Sequence, residues 1–67
     1  MTVSIYAVES VGVGYSIRVH RRSHDYDRAA DAFRSLRKYQ CRELRMVKVT
    51  NGVRILLKYI NRARSDF

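Results

Sequence analysis

Asn51-Gly52 constrains this chain more than any other pair of residues. The dipeptide suits a type I′ hairpin turn, because both central residues of that turn need positive φ. It is flanked by Arg45-Met-Val-Lys-Val-Thr and Val53-Arg-Ile-Leu-Leu-Lys-Tyr-Ile, two runs with strand composition. A two-residue turn pairs Thr50 with Val53, Lys48 with Ile55, Met46 with Leu57 and Leu44 with Tyr59. Leu44, Met46, Val53, Ile55, Leu57 and Tyr59 then share the expected core face, and Arg45, Val47, Val49, Arg54, Leu56 and Lys58 fall on the other.

The first half of the chain predicts a second hairpin. Residues 3 to 9 alternate, with Val3, Ile5 and Ala7 on one face and Ser4, Tyr6 and Val8 on the other. Residues 15 to 20 alternate as well: Tyr15, Ile17 and Val19 against Ser16, Arg18 and His20. Gly12 and Gly14 punctuate the connection. For Ile5 and Ala7 to share a face with Ile17 and Val19, the loop must hold an odd number of residues, which a glycine bulge would supply.

Between the hairpins lies one helix. Ser23 or Asp25 can cap it, and Asp25, Asp27 and Asp31 precede Arg34, Arg37 and Lys38, an order that complements the helix dipole. Tyr26, Ala29, Ala30, Phe33, Leu36 and Gln40 fall at helical spacing and form the expected buried stripe, with the end near Gln40–Cys41. The fold class is α+β in the order β-β-α-β-β: a four-stranded antiparallel sheet with one helix packed on one face. Strand order stays open, and residues 61–67 read as a frayed basic tail.

Composition narrows the function. Sixty-seven residues form one small domain, too short for a two-domain enzyme with a cleft between lobes. The net charge of +8 speaks about partners rather than fold. Of the 14 basic residues only Lys38, Lys48 and Lys58 are lysine, and none precedes Arg18. Arginine's planar fork favours bidentate grip on phosphate or carboxylate. A hydrophobic content of 46% suits a packed core. Cys41 is the single cysteine, so a disulfide framework is excluded and a reducing cytoplasmic setting is expected. No signal peptide, membrane span or membrane partner is expected.

One helix cannot cover both faces of a four-stranded sheet. The pairings above put Tyr6, Val8, Arg18, His20, Arg45, Val47, Val49, Arg54, Leu56 and Lys58 on the uncovered face, with Arg45 opposite Lys58 as a like-charge pair. Basic groups around an apolar centre suit an anionic partner, and the same face could serve a homodimer contact or lie in solvent. A second cluster, Arg18, His20, Arg21, Arg22, His24 and Arg28, runs from the second strand into the helix start, where helix N-termini favour anions. Asp25 and Asp27 answer part of that charge. His20, His24 and Cys41 lack the spacing of a metal site, and no cofactor is expected. A general acid–base pair such as His20 with His24, supported by Arg, would make a small ribonuclease toxin the third reading.

The stretch from Arg28 to Tyr59 also carries a resemblance. A helix ending near Cys41, then strands joined through Val49-Thr50-Asn51-Gly52, with Met46 and Tyr59 as further points of contact, resembles small phage-encoded anti-CRISPR proteins, in particular a type I-F inhibitor family of similar length. The resemblance implies a sheet-plus-helix inhibitor that docks on an RNA-guided surveillance complex and uses basic side chains near nucleic acid. That family has Lys where this chain has Arg, and its first loop differs, so no binding residue is carried over individually.

The expectation is therefore a non-enzymatic module, phage- or mobile-element-encoded, that binds nucleic acid or a nucleoprotein. Tyr6, Arg18, His20, Arg21, Arg22, Arg45, Val47, Arg54, Leu56 and Lys58 are the expected contacts, with Tyr6 available for stacking. The alternative is a protein–protein inhibitor docking on an acidic host surface.

Overall fold

Asn51 and Gly52 adopt φ values of 51° and 77°, the left-handed pair that a type I′ turn demands. They join β3 (Glu43–Thr50) to β4 (Val53–Asn61), with Thr50 opposite Val53 as expected. The computed structural model describes residues 3–61, so the expected tail beyond Asn61 lies outside the described residues, while Asn61 itself closes β4. The first hairpin joins β1 (Ser4–Val11) to β2 (Ile17–Ser23). Its loop, residues 12–16, has the required odd length, and Gly14 and Tyr15 take positive φ within a short 3₁₀ turn.

The four strands form one antiparallel sheet in the order β2-β1-β3-β4. β1 pairs with β3 along its whole length, from Ser4 opposite Thr50 to Val11 opposite Glu43. β2 and β3 therefore run parallel on either side of β1, and a parallel pair needs a crossover that returns along the sheet. Helix α1 (Tyr26–Ser35) is that crossover, and it lies over β2, β1 and β3. Asp25 caps it by accepting the Asp27 N–H at 2.9 Å.

α1 stops at Ser35 rather than near Gln40. The Ser35 hydroxyl donates to the Asp31 carbonyl one turn back, a bond that competes with the helix ladder. Leu36 N–H is shared between the Ala32 and Phe33 carbonyls, and Tyr39 N–H reaches Leu36, so the chain tightens into turns. Arg42 N–H then meets the Val11 carbonyl and β3 begins. Gln40, off the helix, is exposed.

The core is formed by Val8, Ala29, Phe33, Leu44 and Met46, with Tyr6, Ala32, Leu36, Cys41 and Ile60 packed around it. Each fully buried Val, Leu or Met contributes about 1.5–3 kcal/mol. Val8 and Tyr6 thus face the helix, contrary to expectation, and Ile5, Ala7, Ile17 and Val19 share the opposite face. Alternation in sequence says which residues share a face, but not which face the helix covers. The helix-side serines hid the answer by making β1 look polar there. Ser10 is satisfied by His20 Nε2 at 2.7 Å, and Ser4 by the Thr50 hydroxyl at 2.7 Å.

A second departure lies in β4. Val47 opposes Leu56 but Met46 opposes Lys58, so Leu57 is an extra residue in the strand. Beyond this bulge every side chain of β4 changes face. Lys58 turns to the helix side, its ammonium 6.0 Å from the Phe33 ring centre, and Tyr59 lies opposite Arg45 on the uncovered face. The expected Arg45–Lys58 opposition and the core placement of Tyr59 are both overturned.

Candidate nucleic-acid interface

The uncovered sheet face carries Ile17, Val19 and Arg22 from β2, Ile5, Ala7, Glu9 and Val11 from β1, Glu43, Arg45, Val47 and Val49 from β3, and Arg54, Leu56 and Tyr59 from β4. Of the expected contacts, Arg22, Arg45, Val47, Arg54 and Leu56 stand here. Tyr6, Arg18, His20, Arg21 and Lys58 stand on the helix side. Tyr6 is unsuited to stacking on a base, because it packs against the core and meets Tyr26 edge to face at 5.5 Å.

Nor is the uncovered face a positive track. Glu9 sits near its centre, 5% exposed, and its Oε1 accepts from Arg45 Nε at 3.0 Å and from an Arg54 guanidinium nitrogen at 2.8 Å. Glu43 adds a second carboxylate, which accepts from the Tyr59 hydroxyl at 2.8 Å. That bond, helped by burial and the carboxylate charge, holds the Tyr59 proton above the usual phenol value of 10.0. Glu9 was missed as a site residue. Its signal was present: it is the only acid before Asp25, and it alternates in phase with Ala7 and Val11.

Positive charge gathers elsewhere. Among the described residues, Arg28 and Arg34 pair with Asp25 and Asp31 along the exposed helix surface. Arg18, Arg21, Arg22, Arg37 and Lys38 have no carboxylate of the described residues within ion-pair distance. Arg18 and Arg21 lie on the helix side of β2, opposite Ser10 and Val8. A shallow groove lined by Arg21, Arg28, Asp31, Ala32 and Ser35 abuts another lined by Arg34, Ser35, Arg37 and Lys38, and Ser35 is common to both. The His20 ring, 4.7 Å from that of Tyr39 and edge to face with it, ties the turn after α1 to β2. The result is a band of cations along β2, α1 and that turn, held on rigid elements.

The catalytic and metal readings find little support in this geometry. His20 bonds Ser10, whereas His24 Nδ1 lies 3.2 Å from the Ser4 carbonyl oxygen. Those partners are six residues apart along β1, roughly 20 Å of strand, so the two histidines do not form an acid–base pair. Ser10 and His20 are at hydrogen-bond distance, but Ser10 is only 3% exposed. Cys41 donates to the Tyr39 carbonyl. Among the described residues no three His, Cys, Asp or Glu side chains are grouped to hold a metal, and no helix is long and apolar enough to cross a membrane.

Compared with protein-family models, curated proteins and solved structures, the chain matches none.

Proposed function

We propose that this chain is a non-enzymatic basic module that binds nucleic acid, free or within a nucleoprotein, through the cation band on β2, α1 and the turn after it. One observation carries the reading. Glu9 engages Arg45 and Arg54 on the uncovered face, while among the described residues Arg18, Arg21, Arg37 and Lys38 have no carboxylate within ion-pair distance. Arginine predominates there, as phosphate contacts favour. Two of the acids within the band, Asp25 and Asp31, are engaged locally by Arg28 and Arg34. A nucleoprotein of phage defence is the form of partner that the resemblance implies.

The test is a fluorescence-anisotropy titration of labelled duplex DNA and of single-stranded RNA across a salt series. Four phosphate contacts give a log–log salt slope of roughly −3.5 on duplex DNA. Arg18→Glu with Arg21→Glu weakens binding on the order of tenfold or more and flattens the slope, whereas Arg54→Gln leaves affinity nearly unchanged. Absence of binding at low salt, or an unaltered affinity in the double variant, overturns the proposal.

A protein partner is the second reading, favoured by Ile5, Val19, Val49 and Leu56 around the Glu9 cluster. Because Arg45 and Arg54 are already engaged, this face suits an apolar partner surface better than an acidic one. A pull-down from nuclease-treated lysate separates the two readings: a host protein retained by wild type and lost with Leu56→Glu supports the second.

A further inference from the structure

The strand order leaves β2 and β4 as the two edges, and they are protected differently. β2 carries Arg18, Arg21 and Arg22 and a bulge at His20, where the register with Val8 and Glu9 shifts. Charges and bulges are the devices that keep an edge from pairing with another chain. β4 lacks them over Val53–Leu57, where Arg54 is the only charge and the bulge comes at the far end. Apart from Arg54, its side chains there are apolar on both faces. Val53 and Ile55 are 58% and 49% exposed on the helix side, Leu56 is 54% exposed on the other, and Leu57 at the bulge is 39% exposed. A largely apolar edge with a single charge over Val53–Leu57, in a chain of such high charge, calls for a cover.

We infer that the cover is a second copy of this chain, with β4 pairing antiparallel to β4 of the partner subunit about a two-fold axis through Ile55. Charge selects the register. Centred on Ile55, Val53 meets Leu57 of the partner subunit and Arg54 meets Leu56 of the partner subunit. Moving the axis one residue, to Leu56, sets Arg54 against Lys58 of the partner subunit, and like charges directly opposite destabilise a sheet. Pairing beyond Leu57 runs into the bulge. The Ile55-centred dimer satisfies the free edge hydrogen-bonding groups and makes one continuous sheet with both helices on the same side. Val53, Ile55 and Leu57 of both copies then join in a single apolar stripe between the helices. Four half-exposed apolar side chains and the edge backbone remove on the order of 500 Å² per copy, about the low end of a specific interface.

The test is sedimentation velocity at high salt, from low-micromolar to several hundred micromolar protein. Wild type shifts from monomer to a species of twice the mass. Ile55→Lys remains monomeric throughout with an unchanged far-ultraviolet circular dichroism spectrum, and Ile17→Lys, on the uncovered face of β2, still dimerises. A second measurement covers any folding defect in the lysine variant. In a Cys41→Ser background, Ile55→Cys forms an intermolecular disulfide on mild oxidation, because the two-fold axis sets the thiols face to face within disulfide reach. A wild type that stays monomeric overturns the inference. So does a well-folded Ile55→Lys that dimerises, an Ile55→Cys that does not cross-link, or loss of dimer in Ile17→Lys.

Discussion

Glu9 and Arg45 stand directly opposite each other across the central β1–β3 pair, joined by a 3.0 Å bond from Arg45 Nε to Glu9 Oε1. The same oxygen receives Arg54, so one buried carboxylate organises two of the three arginines of the uncovered face. Of the three groups Glu9 is the most buried and Arg54 the most exposed, and the energetic consequences should follow that order.

Glu9→Ala strands two guanidinium groups in partly apolar surroundings and costs about 2–3 kcal/mol. Arg54→Ala costs about 1 kcal/mol or less, because half of that side chain is already in water. Urea unfolding of the two variants checks the ranking. Equal midpoints would show that Glu9 contributes no more than a surface pair.

Leu44 has no exposed surface and packs between the helix and the sheet, so Leu44→Ala removes about 2–5 kcal/mol. A single core of this size supplies about 3–5 kcal/mol in total. The variant therefore loses most of its stability margin, and thermal circular dichroism should show its midpoint well below that of wild type. Leu56→Ala, on the open face, should keep a sharp transition.

Gly52 holds φ at 77° in the β3–β4 turn, where an added Cβ meets open space but an L-residue is strained. Gly52→Ala therefore costs about 1–2 kcal/mol through backbone conformation alone. Gly12, whose φ is −97°, should accept alanine at smaller cost. Denaturant midpoints of the two variants measure the difference.

Tyr59 donates to Glu43, so its proton is held more firmly in the folded chain than in the unfolded one. The bond's contribution is complete below pH 10 and disappears as pH rises through the raised folded value. A pH titration of the Tyr59 ring-carbon resonance should show it ionising above the usual phenol value, and Glu43→Gln should bring it down. A Tyr59 that titrates at the ordinary value in wild type would contradict the bond.

Much of the fold was legible because its signals are local. Asn51-Gly52 set the turn and the Thr50–Val53 pairing through the φ values those residues tolerate. Asp25 marked the helix start through its own hydrogen bond to Asp27 N–H. The candidate site was less legible. Tyr6, Arg18, His20 and Lys58 were expected on the uncovered face and lie on the other, for two separate reasons. In β1 and β2 the phase of alternation is correct, but the side covered by α1 depends on contacts far apart in sequence. In β4 the bulge at Leu57 inverts the strand, and nothing within Leu56-Leu57-Lys58 announces it.

The sequence by itself determined the order of elements, the two hairpins, the helix cap and the excess of arginine, because each rests on backbone preference or composition. Only the tertiary structure decided where that charge is free to act. β1 and β3 bring Glu9 and Arg45 together across 36 positions of chain, and β4 adds Arg54 across 45. A carboxylate that distant in sequence engages two cations that composition counts as free. The basic surface consequently lies along β2 and α1, not on the uncovered sheet.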